Sequence, residues 1–466
     1  ELAVPASAYY GIQTLRAARN FPISGMRAKP VFIVATAMVK KACAQTNLTL
    51  GLLDKKRADA IIKAAAEIIG GSLHDEFIVD VYQAGAGTSH NMNANEVIAN
   101  RAIELIGGVR ADYSLIHPND HVNASQSSND TMPTALRVAA IISSAALVRA
   151  MKALAATFRN KARQFDRIIK SGRTHLQDAV PMRLGQEFGG YAAALGSSIE
   201  KIEAAVIRLK RIGLGGTAIG TGINTHPLYR KKALAALKET TGIKGLRPAP
   251  DYFEAANSMG DFIGLSGAMR DAATELIRIA NDLRLLSSGP STGLAEITLP
   301  AVQPGSSIMP GKVNPAMAEM LDMAAFQVIG NDLAISLAAQ AGQLELNVML
   351  PVINHNLLQS IELLTNGVAA FDKKCASGIS ANRARCAAYF ENSAGLATIL
   401  NTIIGYEAAN RIVKTALSAG KTIKEVALAD NVMTDEEWSR LMLPQNITEP
   451  ALLMRPVKKG RRKREK

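Results

Sequence analysis

"PTALRVAAIISSAALVRAMKALAATFRNKARQFDRII", residues Pro133 to Ile169, decides the architecture of this chain. It contains no glycine, and no proline after its first residue. At 1.5 Å per residue an unbroken helix of that length is a rod of roughly 50 Å. Comparable stretches start at Leu184 and run to about Ile212, from about Met259 to Leu286, from Pro315 to about Ala341, and from about Pro351 to Phe371. In the stretch from Met259 to Leu286, Phe262, Met269, Leu276 and Leu283 recur every seven residues, with Leu265, Ala272 and Ala280 near the complementary positions. That spacing buries one stripe of a long helix against others. Five long helices in succession, with few β-branched alternating runs, predict a mainly α chain built on a helical bundle, not a wound sheet.

The 466 residues exceed what one compact core organises. The expected division is a mixed, mostly helical N-terminal domain over 1–128, a central long-helix bundle over 129–384, and a small C-terminal helical domain over 385–466. Helices beyond about 25 residues bury poorly within one chain. Alanine-rich faces such as "AALVRAMKALAATF" (Ala145 to Phe158) permit close approach. An oligomer with a shared helical core is expected.

Composition sets the environment. Hydrophobic residues make up 48% and charged residues 20%, as in globular proteins. No apolar run reads as a bilayer span of about 18 residues, so no membrane partner is expected. The opening "ELAVPASAYYG" lacks the basic-then-apolar order of a signal peptide, and the missing initial Met suggests a trimmed chain. Cys43, Cys375 and Cys386 form an odd set without CxxC spacing, which fits a reduced, cytoplasmic protein. Of the net charge of +13, the tail "KKGRRKREK" (Lys458 to Lys466) carries +6. The tail reads as a solvated end more readily than as a nucleic-acid contact. The remaining positive excess suits a small anionic substrate.

Five polar stretches interrupt the apolar pattern: "AGAGTSHNMNANE" (Ala84 to Glu96), "HPNDHVNASQSSNDTMPTA" (His117 to Ala135), "SGRTHLQDAVPM" (Ser171 to Met182), "GLGGTAIGTGINTHP" (Gly213 to Pro227) and "QPGSSIMPGKVNP" (Gln303 to Pro315). Taken singly, Asn129-Asp130 reads as a turn, Thr174 as an N-cap and His175 as a loop histidine. The glycine-rich stretch lacks the GKS/GKT ending of a phosphate-binding loop. No His/Cys/Asp/Glu set has zinc spacing, and Pro118 and Asn119 interrupt the pair His117/His121. Taken together, neutral hydroxyls and amides with one lysine suit a small dianion, since carboxylates would repel it. Lys312 supplies a charge. Asn314-Pro315 reads as an N-cap and first turn, whose helix N-terminus favours anions. Gly305, Pro310 and Gly311 bracket a segment able to close as a lid.

"GSSIMPGKVNP" resembles the signature of the fumarase/aspartase superfamily. "GAGTSHNMNANEVIANRA", "SQSSNDTMPTA" and "GRTHLQDAVPMRLGQEF" resemble its other blocks, in the same order and across nearly the whole chain. Residues Ala8 to Gly11 and Phe21 to Gly25, "GAGTS", "DLRLLSSGP" (Asp282 to Pro290) and "AGQLELNVM" (Ala341 to Met349) resemble its aspartase branch; "SQSSNDT" and "NTHP" (Asn224 to Pro227) resemble its fumarase branch. The resemblance implies a three-domain fold with a central five-helix bundle. It also implies a homotetramer with a twenty-helix core, and active sites drawn from three subunits. The implied reaction is reversible elimination from a dicarboxylate to give fumarate. Ser306 would be the base, and Thr88, Ser127, Ser128 and Ser307 would hold the carboxylate that becomes an aci-carboxylate dianion. Thr174, Lys312 and Asn314 would hold the other carboxylate, with Asn129 and catalytic His175 near the leaving group. No cofactor is required on this reading, and a divalent cation enters only as an activator. A basic tail is foreign to the pattern. A structural, crystallin-like role is the alternative the superfamily offers; the presence of Ser306, Lys312, Asn314, His175 and Thr88 argues against it.

Overall fold

A computed structural model describes residues 2–450; the tail Lys458–Lys466 lies outside the described residues. The chain opens with α1 (Ile12–Asn20), α2 (Pro30–Thr49), α3 (Lys55–Ile69) and α4 (Thr88–Leu105). Pro30 starts α2, where its missing N–H is not needed. Asp54 caps α3 by accepting the Arg57 amide. The first turn of α1 borrows its cap from α4: buried Glu96 accepts the amides of Gly11, Gln13 and Thr14 and the Thr14 hydroxyl. Helices α2, α3 and α4 share an apolar cluster including Ile33, Ile61, Ile68, Phe77, Val97, Ile98 and Ile103.

The middle of the chain holds α5 (Ser128–Gln164), β1 (Ile169–Thr174), β2 (Gln177–Arg183), α6 (Leu184–Leu209), β3 (Arg211–Ile212), α7 (Tyr229–Thr241), β4 (Arg247–Pro248), α8 (Tyr252–Asn257), α9 (Gly260–Leu286), β5 (Ile297–Thr298), α10 (Ala316–Gln340) and α11 (Leu350–Lys374). After β6 (Ser380–Ala381), six short helices, α12 (Arg383–Asn392), α13 (Leu396–Ile404), α14 (Tyr406–Ala419), α15 (Ile423–Ala429), α16 (Asp435–Leu441) and α17 (Pro444–Ile447), close the described chain. Their cluster includes Leu400, Ile412, Val426 and Trp438. Threonines at 422 and 434 build capping boxes with Glu425 and Glu437.

All five predicted rods are present. The heptad positions Phe262, Leu265, Met269, Ala272, Leu276, Ala280 and Leu283 of α9 are buried. The first rod begins and ends five residues earlier than the sequence suggests, at Ser128 and Gln164. Pro133 lies inside α5, in its second turn, where it forfeits only one intrahelical bond.

One segment departs from expectation. Ser171–Met182 is not an irregular interruption but belongs to the antiparallel hairpin β1–β2, with Thr174 paired to Gln177. Its two turn residues, His175 and Leu176, have φ of 56° and 58°. Such primed turns normally announce themselves as Asn-Gly or Asp-Gly, so a His-Leu turn hides the hairpin from a sequence reading.

By length and composition α5 could cross a bilayer, with a mean hydropathy of 1.6 in its most apolar window, contrary to the sequence expectation. Its Leu136, Val138, Leu147, Met151, Leu154 and Phe158 are instead fully buried in the protein. The chain separates into two compact units. Of the described residues, one comprises those up to 152, 197–277 and 321–368; the other comprises 153–196, 278–320 and those from 369 on.

Candidate active site

In the first unit, two helix N-termini converge. Thr88 is the first residue of α4 and Ser128 the first of α5, and their hydroxyl oxygens lie 3.2 Å apart. The turn before Thr88 needs its glycine: Gly87 has φ of 77°, and a Cβ there would press on Met132. Ala86, itself at φ 58°, donates its amide to the Val348 carbonyl and pins this turn. Most polar residues of the following block serve the fold. Asn93 bridges the Glu76 carbonyl and the Ile78 amide, and Asn91 donates to Asn123.

Ser127 is the N-cap of α5, its hydroxyl accepting the Asn129 amide. Asp130 completes the cap by accepting the Ser127 amide at 3.0 Å. Asn129 donates from Nδ2 to the Ala218 carbonyl of the glycine-rich segment at 2.8 Å. Ser127, Ser128 and Asn129 are half-buried and Thr88 is exposed, so this donor group faces open space. The dipoles of two helix N-termini give the place a positive partial charge.

In the second unit, Thr174 and His175 stand exposed at the hairpin tip. The hairpin base is fixed by a buried ionic network: Lys170 pairs with Glu187 at 2.9 Å and Glu296 at 2.7 Å, and Arg173 pairs with Glu296 at 2.8 Å. Among the described residues no hydrogen bond restrains the His175 ring.

The lid Gly305–Lys312 closes on itself. Gly305 donates to the Lys312 carbonyl at 3.0 Å, and Asn314 Nδ2 donates to the Gly305 carbonyl at 2.8 Å. A Cβ on Gly305 would sit 2.3 Å from the Lys312 oxygen, so only glycine fits. Asn314 is therefore not the N-cap the sequence suggested; the Pro315 carbonyl accepts the first helical amides of α10, from Ala318 and Glu319. Ser306 Oγ accepts the amides of Ile308 at 3.2 Å and Met309 at 3.0 Å. Ser307 and Lys312 are exposed. The segment borders a concavity of about 520 Å³ lined by Ser306, Met309 and Lys312.

The candidate residues thus form three groups: Thr88 with Ser127–Asn129, the hairpin tip, and the lid. Among the described residues no hydrogen bond joins the tip to the lid. The sequence reading missed Asp130 and the two amides facing Ser306. The Ser-x-x-Asp spacing of Ser127 and Asp130 was the available signal for the first. Among the described residues no group of three His, Cys, Asp or Glu side chains is placed to hold a metal ion. The interrupted pair His117/His121 meets through a wide turn, the His117 amide donating to His121 Nδ1 at 2.7 Å.

A family model described as "Lyase" matches residues 1–330, and one described as "Fumarase C C-terminus" matches 396–449. The chain belongs to this lyase family, the fumarase/aspartase superfamily. Within it the chain is aspartase-like. It is 47% identical to the aspartate ammonia-lyase of Bacillus subtilis, covering 97% of this chain and 95% of that one. It is also 50% identical to the class II fumarate hydratase of Halobacterium salinarum, covering 97% and 96%. A crystal structure of fumarate lyase:delta crystallin from Brucella melitensis bound to cobalt superposes with a TM-score of 0.93 at 47% identity, covering 96% of this chain and 97% of that one.

Proposed function

We propose that this chain is a carbon–nitrogen lyase that eliminates ammonia from L-aspartate, reversibly, to give fumarate. The observation that carries the site reading is the meeting of Thr88 and Ser128 at two helix N-termini, an arrangement suited to a carboxylate. Ser306 removes a proton from the carbon beside the distal carboxylate. The C–H electron pair moves into that carboxylate, giving an aci-carboxylate dianion held by Thr88, Ser127, Ser128 and Ser307. The pair then returns to form the C=C bond, and the C–N bond breaks. Ammonia departs near Asn129 and His175, and the Ser306 proton passes to the departing ammonia or solvent. Thr174, Lys312 and Asn314 hold the second carboxylate. Serine is a weak base at its ordinary pKa. The Ile308 and Met309 amides directed at Ser306 Oγ favour its alkoxide.

The reaction as written uses the substrate carboxylate as its electron sink, and a divalent cation enters only as an activator. A homotetramer completes the site. It is supported by α10, whose exposed Met323, Phe326, Leu333 and Leu337 follow a heptad stripe that wants a partner helix. The separate apolar clusters near each terminus support the division at 128 and 384. The three cysteines are buried and unpaired, as a reducing cytoplasm favours.

Hydration of fumarate to malate is the second reading, favoured by the identity to the Halobacterium salinarum enzyme. Incubation with L-aspartate should release fumarate and ammonia one to one, with little fumarate from L-malate. Faster fumarate release from L-malate would replace the first reading by the second.

A further inference from the structure

We infer that Asp130 is a positioning residue that locks the hydroxyl cluster and the glycine-rich segment into one anion-binding surface. The inference rests on the proposed roles of Ser127, Ser128 and Asn129. Asp130 touches no substrate on this reading. It is buried, and both carboxylate oxygens are committed to backbone amides. Oδ1 accepts Ser127 N at 3.0 Å, closing the cap of α5. Oδ2 accepts Gly215 N at 2.9 Å and Thr217 N at 3.0 Å. One side chain thus ties residues 85 and 87 positions distant to the helix start that bears the candidate serines.

The tied segment has backbone bonds of its own, Gly216 N to the Gly213 carbonyl and both Gly220 N and Gly222 N to the Gly216 carbonyl, yet its conformation is strained. Gly215, Thr217, Gly220 and Gly222 all have positive φ, and Thr217, at 56°, is not a glycine. A non-glycine there persists only where surroundings impose it. The Asp130 bond to Thr217 N is one such constraint. Arg230 supplies another, donating to the Gly215 carbonyl at 3.0 Å and the Gly220 carbonyl at 2.7 Å while lying 4.0 Å above the Tyr252 ring. Asn129 then reaches the Ala218 carbonyl of the same segment. Burial pushes the Asp130 carboxyl up to about 6, which leaves it ionised, and accepting all three amides, at neutral pH.

Two effects of the carboxylate oppose each other. Its negative charge, near a site for a dianion, weakens binding. Its three amide bonds preorganise the donors and strengthen binding. Because those amides absorb the charge locally, the second effect dominates. Asp130→Asn keeps the shape, removes the charge and leaves one acceptor oxygen. It should raise KM for L-aspartate and Ki for succinate together, by about 10-fold or more, with a smaller change in kcat. A purely structural role would lower the active fraction and leave KM and Ki alone. Unchanged or lowered KM and Ki would overturn the inference, a fall meaning that charge repulsion dominates.

Arg230→Gln loosens the same segment with Asp130 intact, and is the readout if Asp130→Asn does not fold. It should raise KM and Ki by about 3-fold, one lost charge-assisted bond being worth that or more; unchanged values there would equally overturn the inference. Ser128→Ala runs alongside. If it leaves KM and Ki unchanged, the site reading fails; if it raises them while Asp130→Asn does not, the positioning inference alone fails.

Discussion

Thr88 Oγ1 and Ser128 Oγ are 3.2 Å apart although forty positions separate them, each at the first residue of its own helix. The pair makes a two-hydroxyl clasp at a place of positive partial charge. If both hydroxyls donate to one carboxylate, they act as a unit. Thr88→Ala and Ser128→Ala should each raise KM for L-aspartate by roughly 10-fold, the worth of a hydrogen bond to a charged group. The double variant should lose less than the product of the two, since the remaining hydroxyl already binds imperfectly once its neighbour is gone. Steady-state kinetics on the three variants measures this; strict multiplicativity would show two independent contacts.

The hairpin tip and the lid test the sharing of sites between chains. A variant with Thr174→Ala and His175→Ala, and a second with Ser306→Ala, should each be nearly inactive. After random subunit exchange, a site drawing its tip and lid from different chains is intact in about a quarter of cases, one half for each segment, in a closed symmetric oligomer. Recovery to roughly a quarter of wild-type activity is expected. Verified exchange with no recovery would mean that tip and lid come from the same chain.

His90 gives a stability prediction with a definite sign. Its ring is buried, stacked 4.7 Å from Phe32 and tilted against Phe77 at 5.5 Å, and bonds the Thr36 hydroxyl. Burial, then the Lys40 charge, pushes its pKa down to about 3. The unfolded chain takes up a proton near the ordinary value of about 6.5, which the folded chain refuses. The stability this group contributes is full above about 6.5 and is lost as pH falls toward 3. The apparent Tm of the wild type should drop more steeply between pH 6.5 and 4 than that of His90→Gln. Parallel curves would place the acid sensitivity elsewhere.

The rods were legible because each spans many turns without glycine, and because Phe262 to Leu283 repeat the period of a buried stripe. The lid was legible as an interruption between two such rods. What stayed hidden depended on conformation more than composition. Positive φ at His175 and Leu176 makes a hairpin from residues that do not advertise a turn. Asp130 looked like a turn former because its partners Gly215 and Thr217 lie far along the chain. Asn314 looked like a helix cap, but its amide closes the lid onto Gly305. Whether Ser306 could be activated was invisible in sequence, since the two donors concerned are backbone amides.

The role of Ser306 as the base is tested most directly by kcat for L-aspartate in Ser306→Ala, with succinate binding measured on the same preparation. Removal of a general base should lower kcat by about 10²- to 10⁴-fold. Succinate should bind within about 3-fold of wild type, because the lost group acts in the transition state and not in holding the dianion. Turnover within about 10-fold of wild type, with succinate binding intact, would contradict the account and move the base to another group.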